Sequence, residues 1–378
     1  MTNSSPRNRS RRGSRRHARP TVVCVFGTRP QLIKLSVVWR RLAESCRLRL
    51  VDSGQHYDHA MAGTFYERED LRRPDFNLNV RLSSAGAQVA AIANGLDPYF
   101  KRTKPQAVIT FGDTSTTAGA AIAAAYRNIP LAHIEAGLRS YDLTAAEEKN
   151  RLLTDHLSRW LFCPTKTALD NLKREGIRRG VHGTGDVLFE IFRREQTHVD
   201  VASFAAQHAL IPHEYYFVTC HRAETVDHPD RLRALVRILT ALDRPALFAV
   251  HPRARKNLRK HHLWDRLTRR RGLVLSAPLN HLDTLSAIAG ARIVLTDSGG
   301  VQREAFWSQT PCLTLRDRTE WPETVSAGGN RVVDLDAHAI AAGLRRRWRM
   351  QSSTDPYFGR TNASRRIVQL LLRDLVGA

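Results

Sequence analysis

A chain of 378 residues is long for one core and predicts two domains of roughly 150–200 residues. Its 42% hydrophobic and 7% aromatic content is that of a globular chain, and no apolar run approaches the roughly 20 residues that span a bilayer. The net charge of +23 suggests a polyanion binder, but 51 of the 59 basic residues are arginine, a skew that coding bias explains as well as a selected surface does.

Residues 1–19 hold seven of those arginines and no acid, and read as a disordered basic tail. Only the short run "TVVCVF" follows, which is no signal-peptide core. From Thr21 onward, short β-rich apolar runs alternate with longer helical stretches. The runs are "TVVCVFG", "LRLVDSG", "AVITFGD", "LAHIEAG", "WLFCPT", "YYFVTCH", "ALFAVHP", "GLVLSAP", "RIVLTDSGG" and "PCLTLRD". Strands alternating with helices predict βαβ units and parallel sheets covered on both faces. The alternation pauses near "VHGTGDVLFEIF", so we read an α/β chain of two doubly wound domains, 20–185 and 186–350. An amphipathic segment over 351–378, "RRIVQLLLRDLV" within it, is free to pack back on either domain. Cys24, Cys46, Cys163, Cys220 and Cys312 are odd in number and lack a CxxC, which argues against disulfides and zinc and fits a reducing cytoplasm.

Nearly every predicted strand ends in a polar or glycine cluster, where open α/β sheets bind ligands. "FGTRPQLIK" sets Arg29 and Lys34 just past the first strand, two cations suited to a diphosphate. The chain has neither a Walker A loop nor a G-x-G-x-x-G, so a nicotinamide or flavin site is unsupported. "GDTSTTAGAA" and "HIEAGLRSYD" end neighbouring strands at Asp113 and Glu135, and "AAEEKNR" adds Glu147 and Glu148. Carboxylates grouped this way suit general acid and base chemistry, whereas singly they read as a helix cap (Asp113) or helix surface (Glu148). His221 and Arg222 follow "YYFVTC" as a proton donor and a cation. In "TDSGG", Ser298 caps a helix, and Gly299 and Gly300 form either a turn or an open cradle for phosphate. Glu304, about one turn on, either accepts from ribose hydroxyls or is a solvated helix residue.

Taken in order, "FGTRPQLIK", "SGQHYDHAM", "GDTSTTAGAAIAA", "HIEAGLRS", "EEKNRLLTDHLS", "LFCPT", "GTGDVLFE", "CHRAET", "HPRARK", "LTDSGGVQREA" and "LRDRTEWPETVSAGGN" resemble the non-hydrolysing UDP-N-acetylglucosamine 2-epimerase family, in the branch with archaeal-type and UDP-diacetamido-uronic acid 2-epimerases. The resemblance covers residues 21–335. It implies two Rossmann-like domains facing a central cleft in the GT-B arrangement, a cytoplasmic homodimer, a UDP-sugar substrate, and no cofactor or metal. It implies C2 proton abstraction, anti elimination of UDP to a glycal, and re-addition. Asp113, Glu135 and Glu147 would be the acid and base carboxylates, and His221 would assist the leaving diphosphate. Arg29, Lys34, Gln55, His56, Arg139, Arg222, Thr284, Ser298, Gly299, Gly300, Glu304 and Arg316 would bind substrate, with Gln55 and His56 in a motif that is allosteric in some bacterial members. The chain departs from the family's usual pattern at Ala146 (for proline), Gln31 (for glutamate) and Thr284 (for an aromatic residue).

Three rival readings follow from the same residues. A hydrolysing 2-epimerase would hydrate the same glycal and release UDP and a free sugar. A GT-B glycosyltransferase would share the UDP site but has no use for three grouped carboxylates. A polyanion-binding protein would act through the basic tail, although nothing beyond charge favours nucleic acid, and no membrane partner is expected.

Overall fold

The computed structural model describes residues 19–55 and 71–376. Among these, two all-parallel sheets carry the chain. The first has seven strands: β1 (Thr21–Phe26), β2 (Arg47–Asp52), β3 (Phe76–Asn77), β4 (Ala107–Phe111), β5 (Leu131–Ile134), β6 (Trp160–Cys163) and β7 (Val181–Gly183), in the order β3-β2-β1-β4-β5-β6-β7. The second has six: β8 (Tyr216–Cys220), β9 (Ala246–Val250), β10 (Leu273–Ser276), β11 (Ile293–Thr296), β12 (Cys312–Thr314) and β13 (Asn330–Val332), in the order β10-β9-β8-β11-β12-β13.

The central strands are apolar on both faces because helices cover both faces, so β4 and β9 are buried at every residue. Beneath one face of the first sheet lie Leu32, Leu35, Val38 and Leu42 of the helix Arg29–Ser45. Ile92, Leu96 and Phe100 of the helix Ala85–Thr103, with the alanines of Ser115–Tyr126, cover the other. The last helix, Ala363–Val376, returns to the first sheet: Ala363, Ile367, Val368 and Leu371 join its core, and Trp160 Nε1 donates to Asp374 at 2.8 Å. Three strands were absent from the sequence reading. β3, β7 and β13 are two or three residues long and lie at or beside sheet edges, too short to show a periodicity. The stretch "VHGTGDVLFEIF" holds β7, the last strand of the first sheet, and the helix Val187–Glu195 that leads toward the second.

Strand order reverses between β1 and β4 in the first sheet and between β8 and β11 in the second. Chains diverge to opposite faces at such points and leave a crevice beyond the strand ends. The crevices are bounded by Gly27-Thr28-Arg29 and Gly112-Asp113 in one sheet, and by His221-Arg222 and Asp297-Ser298-Gly299-Gly300 in the other. Ion pairs join the two sets of loops: Arg222–Glu147 at 2.6 Å, Arg151–Glu320 at 3.2 Å, Arg303–Glu135 at 2.9 Å and Arg318–Asp142 at 3.0 Å.

Candidate active site

Glu135 follows β5 in the left-handed region, with φ of +76°. Its N–H and that of Ala136 both donate to Phe162 O at 3.1 Å, turning the chain sharply off the strand. A non-glycine residue there costs on the order of 1–3 kcal/mol and is held only by its surroundings. Lys34 pairs with Oε2, and Arg303 with Oε1 at 2.9 Å. Burial, reinforced by Arg303, lowers the Lys34 ammonium to about 8. Beside this pair, Gly112 has φ of +63°, and a Cβ there would lie 3.3 Å from Glu135 Oε2 and 3.4 Å from Lys34 Nζ. Glycine at the end of β4 therefore leaves room for the Glu135–Lys34 pair against the strand end.

Asp113 is next in the chain and half-buried. Arg151, from the helix Ala146–Leu157, donates to its Oδ2 at 2.6 Å, and Asn150 Nδ2 to its carbonyl at 2.9 Å. Burial alone would raise its pKa, but Arg151, Arg222 and Lys34 outweigh that and hold the carboxyl below its usual range. Glu147 begins the same helix and accepts from Arg222 Nη1. Its neighbour Glu148 is not helix surface: it is 1% exposed and accepts from Ser140 N and Oγ, Tyr141 N and Arg151. Glu148 fixes the loop before the helix, while Glu147 faces the cleft.

Across the cleft, Asp297 is fully buried at the end of β11 and accepts the N–H groups of His221 and Arg222 at 2.7 and 2.8 Å. Burial raises its pKa, but His221 and those N–H groups bring it below the usual carboxylate range. His221 Nδ1 lies 3.2 Å from Asp297 Oδ1 without a hydrogen bond to it, and the ring is 38% exposed. Arg222 Nε is buried without a hydrogen-bond partner. Ser298 caps the helix Gly299–Trp307. A Cβ on Gly299 would meet Trp321 Nε1 at 2.8 Å, so packing requires glycine there, whereas a Cβ on Gly300 meets nothing closer than 3.7 Å.

The other expected site residues divide into two groups. Gln55 accepts from Thr116 N and Oγ1 at 3.2 and 2.7 Å, and Arg29 opens its helix half-buried beside the same crevice. Arg316 is buried against Glu224 and Glu320, and Glu304 Oε1 accepts from His281 Nε2 at 3.0 Å. Thr284 donates to Asn280 O on the outer helix His281–Gly290. Arg139 is not brought to the cleft group: its guanidinium is held by Glu175, Asp155 and Leu138 O. His56 lies outside the described residues. Gln31 donates to Phe111 O, Thr114 and Thr117 while accepting from Gly27 N, a pattern that needs an amide, with both a donor and an acceptor, rather than a carboxylate.

The reading from sequence missed Arg151, Arg303, Glu320 and Asp297. Arg151 and Glu320 are buried and bridge the domains, and three arginines (Arg151, Arg222, Arg316) hold Glu320 well below its usual range against the opposing effect of burial. Asp297 alone had a signal, since it ends a strand within "LTDSGG". Among the described residues, no group of three or more His, Cys, Asp or Glu is placed to hold a metal ion.

The family model described as UDP-N-acetylglucosamine 2-epimerase matches residues 40–372. The chain belongs to that family. It is 36% identical to a UDP-N-acetylglucosamine 2-epimerase homolog of Methanococcus maripaludis, over 93% of this chain and 99% of the relative. It is 35% identical to the UDP-2,3-diacetamido-2,3-dideoxy-D-glucuronate 2-epimerase of Pseudomonas aeruginosa, again over 93% and 99%. The crystal structure of the Methanocaldococcus jannaschii UDP-GlcNAc 2-epimerase in complex with UDP-GlcNAc and UDP superposes with a TM-score of 0.85 at 34% identity, over 93% of this chain and 99% of that one. The two sheets are thus Rossmann-like domains in the GT-B arrangement.

Proposed function

We propose that this enzyme epimerises C2 of a UDP-N-acetylhexosamine, UDP-GlcNAc or a modified relative, without net hydrolysis. The observation that carries the reading is the pair Asp113 and Glu135, at the ends of adjacent strands, each in contact with cations, with Arg303 linking Glu135 to the first turn of the helix Gly299–Trp307. A proton on carbon is weakly acidic, so a base must be positioned closely, and a departing UDP needs donors where its charge develops. In this reading Asp113, Glu135 and Glu147 move the C2 proton between faces of the sugar, and His221, whose backbone N–H is held by Asp297, faces the leaving diphosphate. The N–H groups at Gly299 and Gly300, with the orphaned Nε of Arg222, suit that diphosphate. UDP stays in the cleft and adds back to the glycal.

We assign residues 20–185 and 186–350 to the two domains on the change of sheet between β7 and β8, with the basic tail before them and the 351–378 segment after. The cytoplasmic homodimer implied by the resemblance belongs to the same proposal. Five buried free cysteines suit a reducing compartment, and no described helix is long and apolar enough to cross a membrane. Sedimentation checks the dimer.

Incubation with UDP-GlcNAc in D2O, followed by proton NMR, tests the reaction. UDP-ManNAc carrying deuterium at C2 is expected. Free UDP with a free amino sugar would replace this reading with the hydrolysing one.

A further inference from the structure

The buried guanidinium of Arg303 makes contacts on three sides. Its Nη1 pairs with Asp186 and, at 2.9 Å, with Glu135 Oε1, and its Nε donates to Gly299 O at 3.1 Å. Its carbon lies 3.7 Å from the centroid of Trp321, whose ring fixes the guanidinium plane. Arg303 sits on the helix whose first turn holds Gly299 and Gly300. Asp186 caps the helix Val187–Glu195 by accepting from Leu188 N at 2.9 Å, at the junction between the two sheets. One side chain therefore connects the open helix N-terminus of one domain, the carboxylate of the other and the segment that joins them.

We propose that Arg303 is a positioning residue for the epimerisation: it fixes the carboxylate of Glu135 and couples its placement to the helix that would carry the diphosphate. The inference rests on the proposed acid–base role of Glu135. An arginine engaged only in packing has no need of two carboxylates on one nitrogen, whereas here it completes a clamp in which Lys34 takes one oxygen of Glu135 and Arg303 the other. Rotation of the carboxyl out of its plane would break one of the two contacts. The charged groups around Glu135 are Lys34 and Arg303 in contact, with Asp113, Asp186 and Arg151 acting on the same Lys34. Loss of Arg303 would leave Glu135 one cation fewer and its Oε1 unclamped. It would also relieve Lys34 of a repelling charge and raise the lysine's pKa.

The test measures C2 deuterium exchange of UDP-GlcNAc against pH for the wild type, Arg303→Met, Arg303→Lys, Asp186→Asn and Glu135→Gln, with UDP affinity by calorimetry. Arg303→Met is expected to lower kcat roughly a hundredfold, the scale of a misplaced reacting group. The basic limb of its pH profile, where the Lys34 ammonium is lost, is expected to move to higher pH. UDP affinity should change less than threefold, about 0.6 kcal/mol. Arg303→Lys should restore part of the rate, and Asp186→Asn should lower the rate with a smaller displacement. An unmoved profile in Arg303→Met alongside an inactive Glu135→Gln would overturn the inference and leave the acid–base reading standing. Normal exchange by Glu135→Gln would overturn both.

Discussion

A carboxylate that takes a proton from carbon must be ionised before turnover and stay close to the reacting atom, and cations in contact provide both. At Asp113 the cations win over burial, and at Glu135 they hold both oxygens. Asp113→Asn and Glu135→Gln should therefore each reduce C2 exchange by roughly 100-fold or more, the range of a lost acid or base. UDP affinity measured by calorimetry should stay close to that of the wild type, because the proposed diphosphate contacts lie in the other domain. Exchange at the wild-type rate in both variants would remove the acid–base assignment. These two residues were legible because each ends an apolar strand. Arg151 and Arg303 were not, since an arginine's partners are fixed by how distant elements meet. Glu147 and Glu148 look alike in sequence and differ only because one side of their helix faces Ser140 and the other faces Arg222.

At the scale of elements, the first turn of the helix Gly299–Trp307 separates two uses of glycine. Gly299 is required by packing, because its Cβ would lie 2.8 Å from Trp321 Nε1, while Gly300 has room. Gly299→Ala should cost about 1–3 kcal/mol of stability, as overpacking does. Gly300→Val should leave the melting temperature nearly unchanged and weaken UDP by tenfold or more, about 1.4 kcal/mol. Calorimetry and thermal melts on the pair distinguish them, and equal UDP affinity in Gly300→Val would remove the phosphate cradle. The double glycine was visible in the sequence, but which of the two the fold needs depends on Trp321, 22 positions beyond Gly299 in the chain. The same limit hid β3, β7 and β13, whose pairing comes from the neighbouring strand rather than from any pattern of their own.

For the whole molecule, the two domains meet through charge as well as apolar surface, and Glu320 is the clearest case. It is 4% exposed, accepts from Arg316 at 3.0 Å and lies 3.2 Å from Arg151 of the other domain. Arg151 in turn holds Asp113 and Glu148, so a proton on Glu320 would loosen the cleft at its catalytic edge. Removing one partner of such a buried pair leaves uncompensated charge and costs about 3–5 kcal/mol. Glu320→Gln should therefore melt well below the wild type at neutral pH. The folded pKa of Glu320 is depressed, so its contribution is complete above the unfolded value of about 4.3 and is lost as pH falls toward the folded one. The gap in melting temperature between wild type and Glu320→Gln should accordingly be constant above that value and narrow below it. A gap that persists undiminished into strong acid would mean that the glutamine disturbs packing rather than charge, and that the charge of Glu320 does not hold the cleft.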